Sequence, residues 1–545
     1  MQTSIECLLY NSFMKRRELI KLSAISAGLG ALSGKVSSQS IKAFFKHGVA
    51  SGDPTQDKVI LWTRVTPNRP GNIKVALEVA QTKDFQNIVF QKDLYTNPTK
   101  DYTVKYDFKA GLHFDQGKSF YYRFHVNNVY SEIGRSQTFP KSNTNFACLS
   151  CSNFPTGFFN AYEACSKENI DFWLHLGDYI YEYNDRGYGT EDAQKLNRVP
   201  EPSHEIISLA DYRIRHSQYK TDEGSKLLHA AAPLIAVWDD HEFSNDAWMR
   251  GAENHAFDGS EGTFTKRRAA AIRAYMEWMP IREQTSKRKI YRHFQNKIIN
   301  LMMLDTRQFG RDKQIQPLQF MNDGIFDKKA FFRTLESKDR ELLGKKQFAW
   351  LRSKLRQSAS TWDVMGQQIL MARVKFPKII DLLEGRNPPK WLEKFLPLQD
   401  EGIPSNLDAW DGYPAARARL YKLFKKENSS LISLAGDTHN SWVSNLVDEK
   451  GHSIGFELGA PSVTSPGVAD SLKVDPVKMA EGLKKNSPEL QWMDAEYRGY
   501  LICKADKEAF SAQFKFIDNI KGRKFKVMNG PEFRALKGST KISKL

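Results

Sequence analysis

Ile170-Asp171-Phe172-Trp173-Leu174-His175-Leu176-Gly177-Asp178-Tyr179-Ile180-Tyr181-Glu182-Tyr183 opens as a short apolar run and stops at a Gly-Asp pair. A run of this length reads as a buried strand that delivers a carboxylate to the C-terminal edge of a sheet, where open α/β sheets place their sites. Asp178 has two oxygens and can bridge two cations. Tyr181, three residues on, is as a phenolate a hard anionic ligand suited to ferric iron. Alone, the pattern also describes a strand-end turn with a capping aspartate, so the remaining chain decides.

Three other stretches repeat this grammar of apolar strand and polar tip. Phe146–Asn153 (FACLSCSN) ends at Cys151. Leu234–Asn245 (LIAVWDDHEFSN) ends at Asp239-Asp240-His241-Glu242. Leu431–Trp442 (LISLAGDTHNSW) ends at Asp437 and His439. Four strand ends tipped with Cys, Asp, Asn, Tyr or His form a constellation for a binuclear metal site.

The chain has 545 residues, which suits two or three domains, and 41% hydrophobic with 12% aromatic residues argues for a substantial core and against disorder. No run of eighteen apolar residues follows the N-terminus, so no membrane span is expected. The formal charge of +17 favours acidic partners. The basic residues are scattered in short groups such as Lys345-Lys346, Lys425-Lys426 and Lys484-Lys485, so most are read as solvated surface, and nucleic acid enters only as a possible substrate. Of the five cysteines, Cys148 and Cys151 form a C-x-x-C with no second pair to complete a zinc knuckle. On a strand they point to opposite faces, so Cys151 is the tip ligand and Cys148 a core residue.

Residues 1–40 read as an export leader. A charged stretch holding Arg16-Arg17 precedes the mild apolar run Leu22–Leu32, and the pair resembles a twin-arginine signal with Lys15 in place of the usual serine or threonine. From 44 to 140 the period is strand-like, as in Ile73–Val79 and Phe120–Val126, with turn residues between. This predicts a β-sandwich. Pro140-Lys141-Ser142-Asn143 marks a boundary. From 144 to 530 strands alternate with helical spacings such as Phe159–Glu168, Arg267–Met279 and Glu341–Gln357, which predicts a layered α/β domain. The basic, polar chain from Lys521 is expected to be loosely held, with 531–545 as a tail.

The ordered set Ser150-Cys151-Ser152-Asn153, Gly177–Tyr183, Leu209–Arg213 (LADYR), Trp238–Glu242 (WDDHE), Leu304–Gln308 (LDTRQ), Trp410–Pro414 (WDGYP) and Gly436–Trp442 (GDTHNSW) resembles the PhoD-like alkaline phosphatases/phosphodiesterases, a branch of the calcineurin-like metallophosphoesterases. The resemblance runs from about His47 to near the C-terminus. It implies a metallophosphoesterase β-sandwich flanked by helices, preceded by a fibronectin/immunoglobulin-like domain, and an iron-and-calcium cofactor.

One metal is assigned to Cys151, Asp178, Tyr181 and His439, because thiolate, phenolate and imidazole together favour a transition metal and Fe(III) best. The second shares Asp178 and takes Asp240 and Asp437. Carboxylates stand here where the wider superfamily has Asn and His, which suits one or two Ca²⁺. Gln367 or Gln368 is a further ligand candidate, with Gln368 preferred. His241 is the candidate acid or phosphate contact, oriented by Glu242. Arg213 and Arg307 compete to hold phosphate, a structural ion pair with Asp211 or Asp305 being the alternative for each. His175 is read as a core histidine, and Asn153 and Asn245 as support. The expected activity is hydrolysis of phosphate esters by metal-activated water or hydroxide, by an exported monomer, periplasmic or extracellular, that meets the twin-arginine machinery. Its substrates are phosphate-ester small molecules or phosphodiester polymers. The alternatives are a narrower nucleotidase, a phospholipid- or teichoic-acid-directed phosphodiesterase, and a non-catalytic binding protein with a decayed enzyme domain.

Overall fold

The structure is a computed structural model that describes residues 42–283 and 289–545; the expected leader, with Arg16-Arg17 and Cys7, lies outside the described residues. Two sheets organise it. The larger has ten strands, and at its centre Thr144–Leu149, Phe172–His175 and Leu234–Ala236 run parallel. The smaller has seven, with Ile299–Met303, Trp362–Gly366, Leu431–Ala435 and Ser453–Gly459 parallel. These central strands read as continuous apolar runs because both of their faces are covered. The sheets share one core, in which Phe510 of the larger makes ring contacts with Trp362 and Phe456 of the smaller at 6.0 and 5.9 Å. Helices close the outer faces. Gly344–Arg356 and Pro414–Lys426 bury Leu351, Leu355, Leu420 and Phe424 against the smaller sheet. Asn160–Cys165 lays Tyr162 beside Trp173 of the larger, with ring centres 5.7 Å apart.

Register aligns the tips. Leu149 lies opposite His175, and His175 opposite Ala236, so the residues after each strand emerge at one edge. In the smaller sheet Met303 and Leu434 both lie opposite Gly366. A parallel bridge between Ser150 and Ser462 joins the two edges.

The sequence from 44 to 140 does form strands, but they enter two sheets. Ile73–Ala80, Ile88–Thr96, Ser119–Val126 and Gly134–Gln137 build a sheet of their own. Val49–Gly52, Val59–Arg64 and Thr103–Phe108 instead extend the ten-stranded sheet, through the pairing of Gly52 with Leu234. Residues 43–545 accordingly form one compact unit. The chain beyond Lys521, expected to be loose, is a correction. Val527–Leu536 pairs antiparallel with Ala509–Ile517, and Phe533, Ala535 and Ile542 are buried. Its inward alternation is short and interrupted by Pro531, and the outward polar residues hide it.

Candidate metal centre

The tips leave their strands by sharp turns. Cys151, Asp178, Asp437 and His439 all have left-handed backbone, with φ of 59, 56, 65 and 63°. Each such non-glycine residue costs about 1–3 kcal/mol and persists only where its surroundings over-determine it. Gly177 has φ of 115°, and a Cβ there would stand 2.4 Å from Asp239 Cβ, so the Gly in the Gly-Asp pair is a steric requirement. Glu242 holds the turns in place, accepting the backbone N–H groups of Asp178 at 3.1 Å, Tyr179 at 2.5 Å and Asp239 at 2.7 Å.

Three overlapping groups result, each with ligand atoms within 4.8 Å of one another: Cys151, Asp178 and His439; Asp178, Asp240 and His241; Asp239, Asp240 and Asp437. Asp178 belongs to two of them, as a bridging carboxylate must. Tyr181 joins the first, its hydroxyl 3.1 Å from both Asp178 Oδ2 and His439 Nε2. The His439 ring is set from behind. Its Nδ1 lies 2.7 Å from the Pro466 carbonyl and 3.0 Å from the Tyr188 hydroxyl, which turns Nε2 towards Cys151 and Asp178. Ser465 Oγ lies 2.7 Å from the Tyr181 hydroxyl.

The donor set fits cations. Asp178 Oδ1 and Asp239 Oδ2 are buried with no hydrogen-bond partner among the described residues. Burial pushes the Asp178 and Asp437 carboxyls, the Cys151 thiol and the Tyr181 phenol well above their ordinary ranges, and adjoining carboxylates push the same way. A bound cation reverses this, because it favours each ionised form. Asp240 differs. Burial would raise it, but Arg307 and His241 hold it at about 2.

Arg307 is fully buried among carboxylates rather than at the cavity wall. It is 2.7 Å from Asp408, 3.4 Å from Asp240 and from Asp437, and is also paired with Asp239. Asp305, its expected partner, instead accepts the backbone N–H groups of Arg307 and Gln308 and shapes the turn. Arg213 is not part of the site. Its guanidinium makes two 2.7 Å bonds to Glu277, while Asp211 closes the capping box of the helix Leu209–Tyr219. The Gln368 amide is likewise taken up within the protein. Thr306 N–H and Oγ1 donate to its carbonyl at 3.1 and 2.5 Å, and its amide donates to the Trp238 and Leu304 carbonyls. Gln367 accepts from Trp410 Nε1 at 2.9 Å and donates to Ile369 O and Ser433 Oγ, so both amides are already satisfied. His175 is a core residue bonded to the Tyr162 hydroxyl at 2.8 Å.

His241 stacks on Tyr181 with ring centres 4.3 Å apart. Its orienting carboxylate is Glu182, not Glu242. Nδ1 donates to Glu182 Oε2 at 2.7 Å, and the Asn245 N–H donates to Glu182 Oε1 at 2.6 Å. Glu182, Asp239, Asp408, Tyr188 and Ser465 escaped the sequence reading. Two carry a signal in retrospect, since Glu182 and Asp239 each adjoin or closely follow a residue that was chosen.

Asp178, Asp240, His241, Asp437 and His439 line the floor of an open cavity of about 980 Å³. Its lining also includes the apolar side chains of Leu370, Val374, Phe376, Ile379, Leu398 and Trp442.

Residues 146–514 match the model of the PhoD-like phosphatase family, and residues 31–140 match that of the PhoD-like phosphatase N-terminal domain. Alkaline phosphatase D of Bacillus subtilis (strain 168) is 34% identical over 539 residues, covering 93% of this chain and 85% of that protein. A solved structure described as that of PhoD superposes with a TM-score of 0.76 at 31% identity, covering 92% of each chain.

Proposed function

Because this chain belongs to the PhoD-like phosphatase family, we propose that the buried cluster around Asp178 is the centre at which it hydrolyses phosphate esters. The chain is a metal-dependent phosphoester hydrolase similar to alkaline phosphatase D. The observation that carries the assignment is the convergence of four left-handed residues, from three strand ends, on overlapping ligand groups linked through Asp178 and Asp240.

In this reading Cys151, Asp178, Tyr181 and His439 would hold Fe(III), and Asp178, Asp240 and Asp437 would hold Ca²⁺, with Asp239 and Asp408 adding carboxylates nearby. When bound, such cations polarise phosphoryl oxygens and lower the pKa of water. The protein's own groups do the rest. His439 is presented through Nε2 by Pro466 and Tyr188. Glu182 fixes the His241 ring so that Nδ1–H is committed, leaving Nε2 to face the cavity and protonate a departing alkoxide. Glu242 keeps the Asp178 and Asp239 turns rigid. Arg307 balances charge among the carboxylates.

The apolar side chains of the lining favour one extension, towards diesters whose second substituent is bulky or apolar, over a nucleotidase restricted to monoesters. The family matches at 31–140 and 146–514 support an N-terminal module over 44–140 and a catalytic module over 144–530. Export by the twin-arginine route is proposed from Arg16-Arg17 and the apolar stretch after it. No helix among the described residues is long and apolar enough to cross a membrane.

The test is hydrolysis of p-nitrophenyl phosphate and bis(p-nitrophenyl) phosphate by the purified chain, with and without chelator, beside Asp178→Asn. Loss of both activities on chelation and in the variant, with the variant folded, is expected. Full activity of Asp178→Asn would move the centre elsewhere.

A further inference from the structure

A second cavity, of about 320 Å³, opens between the helix Pro414–Lys426 and the turn that follows Ser441–Val447. The helix presents Arg417, Tyr421, Lys422 and Lys425 at intervals that share one face, and Arg373 and Lys450 complete the basic lining. Two acids, Asp448 and Glu449, also line it. Asp448 is engaged by Lys425 at 2.7 Å. Behind the wall Glu489 holds Arg373 through Nε at 2.7 Å, and Asp411 holds Arg417 through Nη1 at 2.5 Å. Each arginine is thus anchored at one edge of its fork. Lys422 and Lys450 are exposed and make no ion pair among the described residues.

The decisive feature is Tyr421. It is 4% exposed and lines this cavity beside Arg417 and Arg373, and its hydroxyl, buried behind that lining, has no hydrogen-bond partner among the described residues. A hydroxyl left unbonded costs about 1–3 kcal/mol. Fixed guanidinium edges, loose ammonium groups and a spare hydroxyl match an acceptor-rich dianion.

We propose that this cavity is a second anion site that takes a phosphate group, separate from the metal centre. It stands against the same wall as the catalytic cavity, since Asp411 and the Val374 N–H it accepts at 3.1 Å both line the larger space. The site does not depend on the catalytic assignment.

Equilibrium dialysis of the full, metal-loaded chain against radiolabelled inorganic phosphate at low ionic strength tests it. The wild type is expected to keep one equivalent of phosphate that chelator does not remove. K422E/K450E, both exposed positions, should weaken that equivalent about tenfold or more and leave turnover unchanged. Tyr421→Phe should weaken it severalfold without loss of Tm, because the hydroxyl it removes is unbonded. A matched reversal on another helix, K345E/K346E, should change nothing. No chelator-insensitive equivalent in the wild type, equal weakening by the two charge reversals, or wild-type binding by Tyr421→Phe would each overturn the proposal.

Discussion

Glu182→Gln separates the chemistry of His241 from the architecture around it. Glu182 is fully buried, and its two oxygens have different duties, one accepting from His241 Nδ1 at 2.7 Å and the other from the Asn245 N–H at 2.6 Å. In the glutamine variant the Asn245 N–H requires the carbonyl oxygen, so the amide nitrogen faces His241. An amide N–H cannot accept, and Nδ1 must then become the acceptor of a neutral ring. The one remaining ring proton then sits on Nε2 of a neutral imidazole, a far weaker acid than the imidazolium. Removing a positioned general acid costs about 10²–10⁴-fold, or about 3–5 kcal/mol of barrier. The cost depends on the leaving group. An alkoxide needs the proton, whereas p-nitrophenolate leaves without it. The assay is therefore kcat/KM for an alkyl and a p-nitrophenyl ester, with metal content measured on the same samples. We expect a loss of 10²–10⁴-fold on the alkyl ester, a loss below about tenfold on the aryl ester, and unchanged metal. An equal loss on both esters would show that Glu182 merely supports the fold, and no loss on either would remove His241 as the acid.

Other consequences are equally specific. Arg213→Ala removes an ion pair to Glu277 outside the lining of the cavity, so kcat/KM should stay within about twofold while denaturant titration shows a loss of about 1 kcal/mol; a collapse of kcat/KM would restore its phosphate role. Gly177→Ala places a Cβ 2.4 Å from Asp239 Cβ at positive φ, and should lower stability by at least about 2 kcal/mol with loss of activity; a wild-type Tm would refute the steric argument. Glu457 is buried and pushed from 4.5 to about 7, so the native state keeps a proton that the unfolded chain loses between those values. Its contribution to stability is therefore full below about pH 4.5 and lost as pH rises to about 7, about 3 kcal/mol in all. The stability of the wild type relative to Glu457→Gln should fall by that amount between pH 4.5 and 8, and a pH-independent difference would contradict it.

Much of this was legible in the sequence where the signal was local. An apolar run ending in Gly-Asp located Asp178 and Asp437, and the looser pattern of an apolar run with a polar tip located Cys151 and Asp240, because parallel strands buried on both faces are short, apolar and abruptly stopped. What escaped was non-local or lay in the turns. Glu242 was preferred to Glu182 because it is next to His241 in sequence, yet at these tips the chain turns sharply and neighbouring side chains diverge. Gln368 stands at a strand tip, but its amide is consumed by Thr306, Trp238 and Leu304, and no single-strand reading reveals that. Alternation disclosed the N-terminal strands. Their continuity with the central sheet rests on one pairing, Leu234 with Gly52, residues far apart in sequence.

The central proposal is that Cys151, Asp178, Tyr181 and His439 would hold an iron, and Asp178, Asp240 and Asp437 a calcium. Metal analysis with a visible absorption spectrum, on protein purified without chelator, tests it most directly. Iron and calcium together, with a phenolate-to-iron charge-transfer band that vanishes in Tyr181→Phe, is the predicted result. A colourless protein holding only zinc, or a band that survives Tyr181→Phe, would contradict it.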